Sequence, residues 1–108
     1  MELNEYQALA QRTSNRALAE NGHLFNGVLG LAGEAGECAD LVKKHCFQDE
    51  RPIHDALIDE LGDVLWYVAE TAGALGVSLD EVAVRNVEKL KKRYPTGFEA
   101  ERSLHREG

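Results

Sequence analysis

Apolar residues recur at the three-to-four spacing of an α-helix along most of the chain, and the two-residue alternation of strands is missing. From about Leu3 to Glu20 the spacing is kept by Tyr6, Leu9, Ala10, Thr13, Ala17 and Leu18, with Asn4 as a candidate cap, and Asn21-Gly22 breaks it. A second stripe of Leu24, Val28, Leu31, Ala35, Cys38 and Val42 predicts a helix from about Leu24 to Phe47, stopping before Gln48-Asp49-Glu50-Arg51-Pro52. A third helix is predicted over about Ile53 to Leu75, with Leu57, Leu61, Val64, Leu65, Val68, Ala72 and Leu75 on its apolar face and Gly76 at its end. Ser78 and Glu81 have capping-box spacing and open a fourth helix that runs to about Arg93, before Pro95 and Gly97. The fold class is therefore all-α: a four-helix, bundle-like domain whose two middle helices, each on the order of 35 Å long, pair antiparallel as its spine. Residues 1–98 are read as one domain and 99–108 as a polar C-terminal tail.

Two segments break the separation of apolar and charged faces. Glu34 and Glu37 sit three residues apart on the second helix, and Glu60 and Asp63 three apart on the third, so each pair projects from one side of its helix on successive turns. With the turn centred near residue 49, antiparallel packing sets Glu34 opposite about residue 64 and Glu37 opposite about residue 61. Four carboxylates would then converge from two helices. Hard oxygen ligands in that number suit Mg²⁺ or Mn²⁺. The plain alternative is a solvated acidic face. Against it stand the apolar neighbours Leu61, Val64, Leu65 and Trp66, and glycines at 27, 30, 33, 36 and 62, each of which costs a helix ~1 kcal/mol relative to alanine. Such glycines signal either close helix packing or room for a metal or substrate, and spacing alone does not separate the two.

Composition narrows the chemistry. The chain has 108 residues, 44% apolar and 29% charged, which is the size and usage of one globular domain. Its net charge of -7 repels polyphosphate backbones and anionic lipid, so neither nucleic acid nor a membrane is an expected partner. No apolar run spans a bilayer and Met1-Glu2-Leu3-Asn4-Glu5 lacks the parts of a signal peptide, so a cytoplasmic location is expected. Cys38 and Cys46 lie ~12 Å apart along one helix, too far to bridge, and read as reduced thiols; a metal site of Cys38, His45 and Cys46 is the alternative. A di-iron centre would need Glu-x-x-His from each of two helices, and the sequence carries that spacing once, at Glu20–His23, so redox iron is disfavoured. The basic residues Arg85, Lys89, Lys91, Lys92 and Arg93 gather on the fourth helix, where Asn86, Lys89 and Arg93 share one side; they would hold phosphate or simply complement the helix dipole. Ile58, Trp66 and Tyr67 lie off the main stripe, so the middle helices carry more apolar surface than one chain covers, and self-association is expected.

These residues resemble a known family. The segments GLAGEAGECADLVKK, DELGDVLWYVAE and NVEKLKKRYPTGF, spread over about Leu29 to Phe98, look like the MazG-like nucleotide pyrophosphohydrolases of the all-α NTP pyrophosphatase group. The resemblance implies hydrolysis of a nucleoside triphosphate between its α- and β-phosphates, giving a monophosphate and pyrophosphate. It implies Glu34, Glu37, Glu60 and Asp63 as metal ligands, Asn86, Lys89 and Arg93 as phosphate contacts, Tyr94 in the same motif, and a homodimer or homotetramer. Many members carry two adjacent acids where this chain has Gly33-Glu34, so the task of orienting the attacking water passes to another group, Glu37 or a water held by metal. Glu37 and Glu60 are the catalytic candidates. Related substrates such as phosphoribosyl-ATP or dUTP, and a non-catalytic oligomerisation or partner-binding module, are the alternative readings. Trp66, Tyr67, Phe25 and His23 are the aromatic candidates for stacking on the base.

Overall fold

The computed structural model describes residues 1–19, 21–47 and 52–97, and all of the regular structure in them is helical. The helices are α1 (Leu3–Gln11), α2 (Gly22–Phe47), α3 (His54–Ala74) and α4 (Leu79–Arg93). The expected tail at 99–108 and the centre of the α2–α3 turn lie outside the described residues. No helix among the described residues is long and apolar enough to cross a membrane.

α2 and α3 form an antiparallel hairpin, the dominant packing unit of the chain. Their axes approach closely at one stretch. A Cβ built on Gly27 would run into Thr71, and one built on Gly30 would run into the Tyr67 ring. These two glycines thus serve close packing, the first of the two roles open from the sequence. Gly33, Gly36 and Gly62 differ: a Cβ on any of them would meet nothing within 4 Å.

α1 is shorter than its apolar spacing predicts, ending at Gln11 instead of near Glu20. The amides of Arg12, Thr13 and Ser14 turn back to the carbonyls of Leu9, Ala10 and Gln11, and the tightened chain leaves the helix. Tertiary hydrogen bonds take over beyond that point. The Trp66 indole donates to Thr13 Oγ1 at 2.7 Å, the Ser14 hydroxyl donates to Glu70, and Asn15 Oδ1 accepts from the Ala17 amide in a local turn. Asn21, with φ 67°, then redirects the chain into α2.

The core sits at the far end of the hairpin from its turn. Ala10, Ala69, Ala72 and Leu79 are buried there, with Tyr6, Trp66, Val68 and Val77 packed against them. Buried Gln7 clips three elements together: its Nε2 donates to the Val77 carbonyl at 3.0 Å and its Oε1 accepts from the Leu79 amide at 2.9 Å. Ser78 caps α4 by accepting from the Glu81 amide at 3.1 Å, and Asn4 accepts from the Asp80 amide at 3.1 Å. No large side chain among the described residues is fully buried, while Leu29 (71% exposed), Ile58 (54%) and Leu61 (55%) lie open along the hairpin. Of the off-stripe residues Ile58, Trp66 and Tyr67, only Ile58 is exposed; Trp66 and Tyr67 are half-buried.

Candidate metal centre

Glu60 and Asp63 occupy successive turns of one face of α3, and Glu34 reaches them from α2, one turn beyond the Gly30–Tyr67 contact. One oxygen from each of Glu34, Glu60 and Asp63 lies within 4.8 Å of the others. Around Mg²⁺ adjacent oxygens stand about 3.0 Å apart and opposite ones about 4.2 Å, so side-chain movement of about an ångström or two would bring the three onto one small cation.

Electrostatics at the group show a charge excess. Glu60 titrates above the ordinary glutamate range because it shares a hydrogen bond with Glu34, because it is partly desolvated, and because Glu34, Asp63 and Asp59 add negative charge. The excess of negative charge is what a cation would neutralise. Glu60 Oε2 is a buried oxygen with no hydrogen-bond partner. Such an orphan is the acceptor that a metal satisfies. The donor set is all carboxylate, which favours Mg²⁺ or Mn²⁺ over softer ions.

Glu37, expected beside the other three, is exposed and lies outside this group. Gly33, Gly36 and Gly62 leave open space beside their own backbones, on the stretches that carry the acids. α4 makes its main contacts with α1, where Asn4, Gln7 and Leu79 fix its start. Asn86 and Lys89 are exposed on it, while Arg93 and Tyr94 are half-buried. Cys38 is half-buried and Cys46 exposed, both as free thiols, and neither joins the metal-binding group.

Of the aromatic candidates, Phe25 is exposed, while Tyr67 covers Gly30 and meets Trp66 edge-on with ring centroids 5.0 Å apart. His23 is engaged with Glu70, Nδ1 to Oε2 at 3.3 Å. Sequence reasoning missed Tyr6 as a neighbour of the acids. Its hydroxyl is held neutral, first by burial and then by the charge of Asp63. The stripe on α1 marked Tyr6 only as core, and its nearness to Asp63 depends on how α1 crosses α3, which no local spacing records.

Comparison with known proteins gives the family. The description "MazG nucleotide pyrophosphohydrolase domain" matches residues 26–98, which include all four acids and the whole of α3 and α4. The Gene 37 protein of Mycobacterium phage L5 is 39% identical over 105 residues, covering 90% of this chain and 92% of its own. The protein YvdC of Bacillus subtilis (strain 168) is 37% identical over 73 residues, covering 59% of this chain and 69% of its own. No solved structure matches. With two helices delivering their acids to one point and most of the chain aligned to it, the protein belongs to the MazG nucleotide pyrophosphohydrolase family.

Proposed function

We propose that the chain is a metal-dependent nucleoside triphosphate pyrophosphohydrolase, releasing a (d)NMP and pyrophosphate from a (d)NTP in the cytoplasm. The observation that carries this reading is the meeting of Glu34, Glu60 and Asp63 around an unsatisfied Glu60 oxygen. These three residues would hold Mg²⁺, or Mn²⁺ in its place, with Glu37 completing the set. The bound ion supplies charge neutralisation of the triphosphate and acidifies water at the α-phosphorus.

The chain's own residues do the rest. Glu37, exposed one turn along α2 from Glu34, accepts the proton of the attacking water, the role open because Gly33 stands before Glu34. Glu60, whose oxygen lacks a partner, would anchor the ion from α3. Asn86, Lys89 and Arg93 bind and orient the β- and γ-phosphates, stabilising charge on the departing pyrophosphate, with Tyr94 alongside them. Water adds to the α-phosphorus, the bond to the bridging oxygen breaks, and one proton is released.

The exposed apolar residues Leu29, Ile58, Leu61 and Leu65 fit a second copy of the chain, forming a homodimer or homotetramer in which α4 of one protomer serves the acids of another. The net charge of -7 speaks against nucleic acid as a partner. A panel of canonical and modified triphosphates, with phosphoribosyl-ATP and dUTP included and products separated, tests the reading. Release of pyrophosphate with a monophosphate supports it; release of orthophosphate, or no turnover with either metal, refutes it.

A further inference from the structure

A second polar cluster lies on the same stripe of α3 as the acids. Glu60, Asp63, Tyr67 and Glu70 follow one another at helical spacing, which puts Glu70 two turns, about 10 Å, beyond Asp63. Its carboxylate is 5% exposed. The Ser14 hydroxyl reaches Oε1 at 2.8 Å and Oε2 at 3.0 Å, and Asn26 Nδ2 and His23 Nδ1 both reach Oε2 at 3.3 Å. Among the described residues, donors crowd Oε2, whereas Oε1 meets one hydroxyl and keeps acceptor capacity. Among the described residues, its only ion-pair partner is His23.

Beside this carboxylate is a cleft of about 250 Å³ lined by Gln11, Ser14, Arg16, His23, Glu70 and Ala74. That volume is just under the ~300 Å³ at which sites for whole drug-sized ligands begin, so the cleft fits one ring system and not a complete nucleotide. A buried carboxylate repels phosphate. It favours a neutral heterocycle that carries N–H donors, and the Arg16 guanidinium on the same wall suits that ring's carbonyl or imine acceptor.

We propose that this cleft receives the base of the triphosphate, with an N–H of its pairing edge docked on Glu70, making Glu70 a specificity-determining residue. The proposal rests on the pyrophosphohydrolase reading: with the α-phosphorus at the acids, the ribose spans the stretch of seam covered by Tyr67. His23 and Asn26 act as positioning residues that hold Oε2, while Oε1, which accepts from Ser14, has a lone pair left for the ligand.

The test compares three substrates: the best natural triphosphate, purine riboside triphosphate, whose ring has no amino or N–H group, and base-free ribose 5-triphosphate. In the native protein, kcat/KM should fall at least tenfold from the first to the second. In Glu70→Gln the amide carbonyl is drawn to the donors around the old Oε2 and the NH₂ faces the cleft, so this ratio should shrink to within threefold. Ala74→Phe narrows the cleft from its exposed wall, one helical turn from Glu70. It should lower kcat/KM for the natural substrate at least tenfold while base-free turnover stays the same, and it carries the test if Glu70→Gln melts. Equal ratios in native protein and Glu70→Gln, or no effect of Ala74→Phe on a folded protein, overturn the proposal while leaving the hydrolase reading intact. Failure of the native protein to hydrolyse any triphosphate overturns both.

Discussion

Gly30 and Tyr67 meet across the α2–α3 seam with no space for a Cβ between them. That contact fixes the register of the hairpin. From it, Glu34 falls beside Asp63 in one direction and Asn26 beside Glu70 in the other, so a single close approach sets both polar clusters. Replacing Gly30 with alanine should displace the ring and cost about 1–3 kcal/mol, as overpacking does. Gly33→Ala, at a position open on all sides, should instead stabilise the isolated helix by ~1 kcal/mol. Thermal melts of the two variants should therefore move in opposite directions.

Glu60→Gln removes one of the three converging carboxylates while keeping its shape. Pyrophosphate release should fall to background while far-ultraviolet circular dichroism stays close to native. Retained turnover would remove Glu60 from the catalytic set.

The same carboxyl predicts how metal and pH are linked. Its folded value lies above its unfolded one, so between the two the native state binds the extra proton. Without divalent ions this contribution to stability is complete below the ordinary glutamate range, and it is lost as pH rises through the raised value. Metal needs the ionised form, so the rise in Tm on adding Mg²⁺ should grow over that same window. Melts in mildly acidic and mildly alkaline buffer, with Mg²⁺ and with a chelator, check the sign. Glu60→Gln should flatten both trends.

Gln7→Ala leaves the Val77 carbonyl and the Leu79 amide without their partner in a buried place. Each orphaned group costs about 1–3 kcal/mol, so a drop in denaturation midpoint clearly larger than that of an exposed Gln→Ala change is expected. Gln7→Glu keeps the acceptor for Leu79 but sets a carboxylate oxygen against the Val77 carbonyl in a buried place, so at neutral pH it should destabilise at least as much as Gln7→Ala.

Much of the hairpin was legible because its cues are local or symmetric about one turn. Placing the turn near residue 49 set Glu34 opposite about residue 64, and the structure brings its carboxylate to Asp63 and Glu60. The end of α1 was not legible. Thr13, Ala17 and Leu18 keep helical spacing, but Thr13 and Ser14 are claimed by Trp66 and Glu70, residues more than fifty positions away, and periodicity carries no trace of such partners. The double role of the glycines was equally hidden, since Gly30 and Gly33 look alike in sequence and differ only in what the folded chain places opposite them.

The bridge made by Gln7 has a kinetic corollary. Its two hydrogen bonds join positions 70 and 72 residues apart, whereas the α2–α3 pairing closes over one short connection. Loop-closure entropy therefore allows the hairpin to assemble early and defers the ends. First and last helices enter the native state as partners, neither secured before the other arrives, and pulse-labelled amide exchange should find them gaining protection in the same step.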